Sequence, residues 1–443
     1  MNRFIKKVCA AGLISLMAGS MMACGSSNTK TAEATKTSDG KVQIEYWYGL
    51  GGNLDENMQK IVKEFNESQD KYEVKPIAQD DYDTTYKNLQ AAISAKKTPA
   101  IALLEADKQY TLGSKDLLTD INEFASKDPE YNKDNYLEAF MSAGEQDGKL
   151  YGYPIFGTTQ VLYYNTKAFK DAGISEESIK TWSGLAEAAA KLVKKDGDEV
   201  SFYGWEPMKG PDNLVDAVLC NGGQILSDDK KQVLINSDEW VEVWESFRKW
   251  IHEDKIMRIH SGGQGWQYWN DTIADAMQGR TAGYTGSAGD QGDLDFSILS
   301  ACEQPAFKEG KEAKPEAEAR FLVIPKNVSD EEKQGAYQFM KYFSSPKVNA
   351  EWSIASGYIA VNKESPNDAA FKEYVSDKPY ALVPTLQAAH ASAAFIDPTG
   401  GKISDALKIA ADKVEIENIP AKEALDEAQK TAQEALDKLN KYN

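Results

Sequence analysis

The sequence predicts an α/β protein of two lobes, each a mostly parallel sheet flanked by helices. Three observations lead there. The chain has 443 residues, more than one hydrophobic core usually organises. Its composition, 42% hydrophobic and 10% aromatic, is that of a folded globular chain. Its first hundred residues alternate strand-like and helix-like patterns, the order that builds an α/β layer.

The elements follow in sequence. Val42–Tyr48 alternates apolar and polar residues, as a strand does, and runs into a glycine loop at Gly49–Asn53. Leu54, Met58, Ile61, Val62 and Phe65 then share one face of a helix. A strand at Tyr72–Ile77, a helix at Thr84–Ala95 and a short apolar run at Pro99–Leu104 follow; the run has the length of a buried parallel strand. Ligands of such layers gather at the carboxyl ends of the strands, where the loop at 49–52, Glu105 and Asp107 lie.

Further strands are predicted at Ile155–Tyr164, Thr281–Tyr284, Phe296–Leu299 and Arg320–Pro325. Helices are predicted at Trp182–Lys195, Glu239–His252, Glu331–Phe343, Lys347–Ala355, Asp405–Glu417 and Ala421–Leu439. The charged stretch Lys308–Ala319 reads as a surface loop.

The N-terminus addresses the compartment. Arg3, Lys6 and Lys7 precede an apolar stretch from Val8 to Ala23, the shape of a signal peptide over residues 1–23. Met21-Met22-Ala23-Cys24 resembles a bacterial lipobox, which makes Cys24 the lipidated first residue of the mature chain. Residues 24–39 are small and polar and read as a flexible tether spanning roughly 20 Å. The folded part is thus expected outside the cell, anchored to the outer face of the membrane. Processing removes three basic residues of 50, leaving 47 against 69 acidic ones, a formal charge of -22. That balance excludes nucleic-acid binding, which needs a basic face. Cys220 and Cys302 are expected to be free, partly buried thiols.

Catalytic and cofactor signatures are missing. There is no HExxH, GxGxxG or Walker pattern, and Gly286-Ser287-Ala288-Gly289 lacks the upstream glycine of a nucleophile elbow. Asp290, Asp293 and Asp295 lack EF-hand spacing and read as a solvated loop. No cofactor or metal is expected. What stands out instead is aromatic residues outside periodic segments: Tyr82, Trp205, Trp266, Trp269, Tyr284 and Tyr358. Ring faces bury sugar C–H surface while nearby carboxylates and amides meet hydroxyls. Trp47, Tyr86 and Tyr268 are assigned to packing.

Several segments resemble family 1 of the bacterial extracellular solute-binding proteins, which serve ABC importers. They are Tyr46-Trp47-Tyr48, the helix from Asn53 to Asn66, Ala91 to Ile101, Gly152-Tyr153-Pro154-Ile155, Val161 to Asn165, Trp182-Ser183-Gly184-Leu185 and Glu351 to Val361. The resemblance implies a periplasmic-binding-protein type fold that closes about a hinge, with crossings near 153–159, 282–288 and 316–322. It places residues 40–155 and 285–318 in the N-terminal lobe and 156–284 and 319–443 in the C-terminal lobe. It implies that Tyr82, Glu105, Trp205, Ser287 and Tyr358 face the ligand and that Thr158 adds a hydroxyl from a crossing. Trp266 and Trp269 join them from their aromatic loop.

Within the family the chain looks closest to the glycerol-phosphate and glycerophosphodiester binders. It departs from that branch at Glu316-Ala317-Glu318-Ala319-Arg320, where the branch has a glycine pair, and at Ser404, where it has an arginine. A phosphate needs a cation or an array of N–H donors, and Arg320 is the candidate substitute. A neutral oligosaccharide is therefore the favoured ligand, held by a monomeric, non-enzymatic receptor that delivers it to a permease and, through it, to ATPase subunits. The alternatives are a glycerophosphodiester receptor, a secreted glycoside hydrolase, and an adhesion lipoprotein without a ligand.

Overall fold

The computed structural model describes residues 34–197 and 199–442. The expected signal peptide, Cys24 and the first part of the expected tether lie outside the described residues. The strands of the main sheet, in chain order, are β1 (Val42–Tyr48), β2 (Tyr72–Ala78), β3 (Ile101–Glu105), β4 (Tyr153–Asn165), β5 (Glu206–Pro207), β6 (Gly283–Ser287), β7 (Leu299–Cys302), β8 (Glu316–Val323) and β9 (Ser392–Ala393). The helices used below are α1 (Gly52–Ser68), α2 (Tyr82–Ala95), α3 (Trp182–Leu192), α4 (Pro211–Leu219), α5 (Asp238–Arg248), α6 (Gln267–Met277), α7 (Asp330–Phe343), α8 (Pro346–Ser356), α9 (Lys402–Glu415) and α10 (Ala421–Tyr442). No helix among the described residues is long and apolar enough to cross a membrane.

One sheet runs through both lobes in the order β2-β1-β3-β8-β4-β6-β5, with β7 also on β4 and β9 on β8. β1 pairs in parallel with β2 and β3, so the start of the chain forms the expected parallel layer. The strands that cross between lobes run back and forth, and this makes their pairings antiparallel. β8 enters between β3 and β4 antiparallel to both, and β6 and β7 are antiparallel to β4. β4 is 13 residues long and serves both halves. Its first part pairs with β8, and its last part pairs with β6 and β7.

Two hydrophobic cores define the lobes. The N-lobe core draws on Val42–Phe156 and on Ala319–Val361, where the rings of Tyr46, Phe65 and Phe339 meet at 5.3–5.6 Å. The C-lobe core is built from Leu162–Ala282, Phe307 and Ile403–Leu436 around Trp182, Trp240 and Trp244. The predicted stripe of α10 is buried there at Leu425, Ala428, Ala432 and Leu436.

These cores correct the expected lobe boundaries. Leu299, Ala301 and Phe307 pack in the C-lobe, not the N-lobe. Residues 319–361 pack in the N-lobe, because β8 delivers the chain beside β3 and the helices α7 and α8 cover β1 and α1. A further passage follows: Val361 lies in the N-lobe core, whereas Tyr380 and Val383 pack on the C-lobe. The stretch 308–319 is also corrected, since its last residues, from Glu316 on, are the start of β8 rather than loop.

Candidate functional site

The lobes enclose a cleft of about 540 Å3. Its N-lobe wall is made by the carboxyl ends of the parallel strands. After β1 comes the loop Gly49–Gly52, which packs so tightly on the start of α2 that a Cβ at Gly49 would lie 2.1 Å from the Asp81 carbonyl carbon. The Asp81 carboxylate caps α2 by accepting the Thr84 N–H at 2.6 Å. The cap starts the helix at Tyr82 and so presents that ring to the cleft. Glu105 ends β3. Tyr358 follows Gly357, which ends α8 at φ +78, a left-handed backbone position that favours glycine. Its ring stacks on Phe156 at 4.6 Å.

The crossing strands supply the floor. The Thr158 and Ser287 hydroxyls, one from β4 and one from the end of β6, are 3.0 Å apart. Arg320 sits on β8 where its register with β4 shifts, a bulge that re-aims a side chain. Its guanidinium is almost fully buried and lies between two carboxylates, 2.5 Å from Glu318 and 3.8 Å from Glu105. Its other face covers the Tyr82 ring at 4.9 Å. Burial pushes the Glu105 carboxyl up to about 7, against the pull of Arg320.

The C-lobe wall is formed by Lys209–Asp212, the aromatic segment at the start of α6, Asp290, Lys408 and Asp412. Trp266 reaches across the mouth and meets Tyr82 edge-to-face at 6.1 Å. It also meets Trp269 at 5.7 Å. Trp269 Nε1 donates to Asp290 Oδ1 at 2.7 Å, and the Tyr284 hydroxyl donates to Oδ2 at 3.2 Å.

Burial pushes the Asp290 carboxyl up to about 8, against those two hydrogen bonds. A carboxyl whose folded pKa lies above its unfolded value makes the native state bind the extra proton. Its contribution therefore falls as pH rises from about 4 through about 8, by up to about 1.4 kcal/mol per pH unit. Asp290→Asn is expected to flatten this slope in urea unfolding compared at pH 6 and pH 9. A variant slope as steep as the parent's would show that Asp290 is ionised throughout.

Eight of the nine sequence-predicted site residues line the cleft: Tyr82, Glu105, Thr158, Trp266, Trp269, Ser287, Arg320 and Tyr358. Trp205 does not. It is fully buried in the C-lobe core with its Nε1 on the Thr285 hydroxyl at 2.9 Å. The sequence reading is also corrected at Tyr268, which lines the cleft as well as packing. It is corrected again at Asp290, which is buried at the cleft rather than solvated because the turn Ala288–Asp293 packs against α8 and α1, whereas Asp293 lines the cleft mouth and is exposed. Asp295 is exposed, as expected of a solvated loop. Trp47 does not line the cleft and donates its Nε1 to Glu45, Tyr86 packs beside Leu89 and Leu104, and Cys220 and Cys302 are free thiols. Asp212, Glu318 and Lys408 were missed; nothing local marks an isolated charged residue as cleft-facing.

Outside the cleft, Glu206, His260 and Asp275 bring potential metal-ligand atoms within 4.8 Å of one another. Arg258 already pairs with both carboxylates and Arg280 with Asp275, so the cluster is an ion-pair knot that needs no metal for charge balance.

A family profile described as bacterial extracellular solute-binding protein matches residues 60–378. The chain belongs to this family. Among curated relatives, the sn-glycerol-3-phosphate-binding periplasmic protein UgpB of Brucella abortus is 25% identical over 364 residues, covering 78% of this chain and 81% of the relative. Among solved structures, UgpB from Mycobacterium tuberculosis in complex with glycerophosphocholine superposes with a TM-score of 0.79 at 20% identity, over 90% of this chain and 100% of that one. The cyclic alpha-maltosyl-1,6-maltose binding protein from Arthrobacter globiformis gives 0.70 at 20% identity, over 90% and 99%. The likenesses establish the two-lobe solute-binding fold.

Proposed function

We propose that this solute-binding protein captures an oligosaccharide in the cleft and presents it, lobes closed, to the permease of an ABC importer. The observation that carries the ligand class is the company Arg320 keeps. Its charge is matched by Glu318 and Glu105, and Asp212, Asp290 and Asp293 add further carboxylates to the same cleft. A phosphate entering there would meet carboxylates first, whereas sugar hydroxyls donate to carboxylates and sugar faces stack on Trp266, Trp269 and Tyr82. Relatives named for glycerol phosphate favour the phosphoester reading, and the test below includes it.

Closure follows from the layout: a ligand touching both walls has extra affinity for the closed state and shifts the population toward it. Thermal-shift measurements with maltodextrins, cello- and manno-oligosaccharides, glycerol 3-phosphate and glycerophosphocholine separate the readings. A true ligand at 100 times its Kd stabilises by about 2.7 kcal/mol. Stabilisation by an oligosaccharide, recovered uncleaved by mass spectrometry, is the expected result; stabilisation by the phosphoesters alone would overturn it. In the same assay Trp269→Ala is expected to lose about 2 kcal/mol of binding, roughly 30-fold in Kd, with a smaller effect on stability because the ring is only partly buried. Unchanged affinity would remove the ring from the site.

The signal-peptide pattern supports lipid anchoring at Cys24, with the tether placing the cleft beside the membrane. Cys24→Ser is expected to release the protein into the medium; retention in the membrane fraction would contradict the anchor.

A further inference from the structure

A side chamber of about 170 Å3 continues the cleft and shares Thr158, Gln160, Glu318 and Lys408 with it. Two elements measure how far the joined space runs. On β8 the alternate residues Arg320, Glu318 and Glu316 share one face. Arg320 lines the cleft, Glu318 both spaces and Glu316 the chamber. At about 3.3 Å per residue their positions span about 13 Å. On α9, Asp412 lines the cleft, Lys408 both spaces and Ser404 the chamber. These three lie on successive turns of the helix and span about 12 Å at about 1.5 Å per residue. The two lengths agree, so cleft and chamber form one tract along the crossing strand β8.

Each end of the tract carries an aromatic ring. At the Arg320 end the guanidinium covers Tyr82, which meets Trp266 edge-to-face. At the Glu316 end stands Phe395. It follows β9, which pairs with β8 at Glu316 and Ala317, and its N–H donates to the Glu316 carboxylate. Phe395 is half-buried: it packs on the C-lobe core and also lines the chamber, beside Val215 and Leu407. Between the ends, acceptors and donors are mixed. The Gln160 side-chain oxygen and the Arg320 Nε–H are both buried and meet no hydrogen-bond partner among the described residues. A hydroxyl accepts as well as donates and so suits both.

Apolar surface at both ends, with hydroxyl partners between, fits a chain of sugars rather than a single ring. One pyranose unit advances a glycan by less than one two-residue step of β8. The span from Arg320 to Glu316 therefore takes two units, and the aromatic mouth at Trp266 takes a third. We propose that the side chamber is a subsite for the sugar farthest from Trp266, with Phe395 as its apolar platform, so that the ligand is a linear oligosaccharide of at least three units. The inference rests on the saccharide reading and sets its chain length.

The test is a ladder of chain lengths. Maltose, cellobiose and mannobiose are titrated calorimetrically, each beside its trisaccharide and tetrasaccharide, with glycerophosphocholine as a further arm. The expected result is that, in the series that binds, the trisaccharide is held at least about tenfold more tightly than the disaccharide. Phe395→Ala is expected to erase most of that gain while leaving disaccharide affinity within about twofold of the parent. Ser404→Trp, which fills the chamber from α9 and lies outside the aromatic mouth, is expected to do the same. A trisaccharide held no more tightly than the disaccharide would overturn the inference and leave the saccharide reading standing. So would a gain untouched by both variants, which would put the added unit outside the chamber, or a loss common to both lengths in both variants. Binding of glycerophosphocholine alone, or of nothing in the panel, would overturn both readings.

Discussion

Trp205→Ala is expected to lower folding stability by about 3–5 kcal/mol, the cost of emptying a large aromatic site in a close-packed core. The indole is fully buried, and Gly283 approaches it so closely that a Cβ there would lie 2.3 Å from the ring. Removing it also leaves the Thr285 hydroxyl without its donor. Chemical denaturation reads the loss directly, as a lower midpoint at unchanged slope. The folded fraction is expected to bind ligand with near-parental affinity, because Trp205 does not line the cleft. Lost binding at unchanged stability would put the ring back in the site.

Arg320→Ala is expected to cost about 3 kcal/mol at pH 8, since breaking a buried ion pair strands the partners' charge. Two carboxylates, Glu318 and Glu105, would be left without their cation, and Tyr82 without the guanidinium over its ring. The partners face the cleft and are screened in part by its water, which holds the figure at the lower end of the range for buried pairs. The deficit depends on pH with a fixed sign. Glu105 already titrates near 7 with the arginine present, and its loss raises that further. Burial raises the Glu318 carboxyl as well, so protonation toward low pH removes the partners' charge, and the variant is expected to approach the parent there. A deficit of equal size at pH 5 and pH 8 would show that Arg320 acts through packing. Arg320→Lys is expected to recover the charge but not the fork that faces both carboxylates, and so to lie between parent and alanine variant.

Local patterns made much of the fold legible. The alternation of Val42–Tyr48 and the apolar stripes of α1 and α10 are properties of short segments, and the structure keeps them. Site residues at strand ends were legible for the same reason, since Glu105 and Tyr82 follow the parallel strands β3 and β2. What sequence could not supply was long-range pairing. Trp205 looks like a loop aromatic, but isolated bridges from Tyr203 to Thr281 and from Trp205 to Met257 lace it into the C-lobe. Glu316 and Glu318 look like loop because their strand borders the cleft, where charged side chains replace the apolar face of an ordinary core strand. The lobe boundaries failed after residue 284 because they depend on where β8 inserts, and strand order leaves no mark in a single sequence.

The claim on which the rest depends is a cleft that shuts on a bound saccharide while each lobe keeps its shape. Small-angle scattering tests it most directly, comparing the protein alone with the protein saturated by the oligosaccharide that gives the largest thermal shift. A smaller radius of gyration with the sugar, absent with a non-binding sugar of the same size, is the predicted result. An unchanged scattering curve at saturation would contradict it.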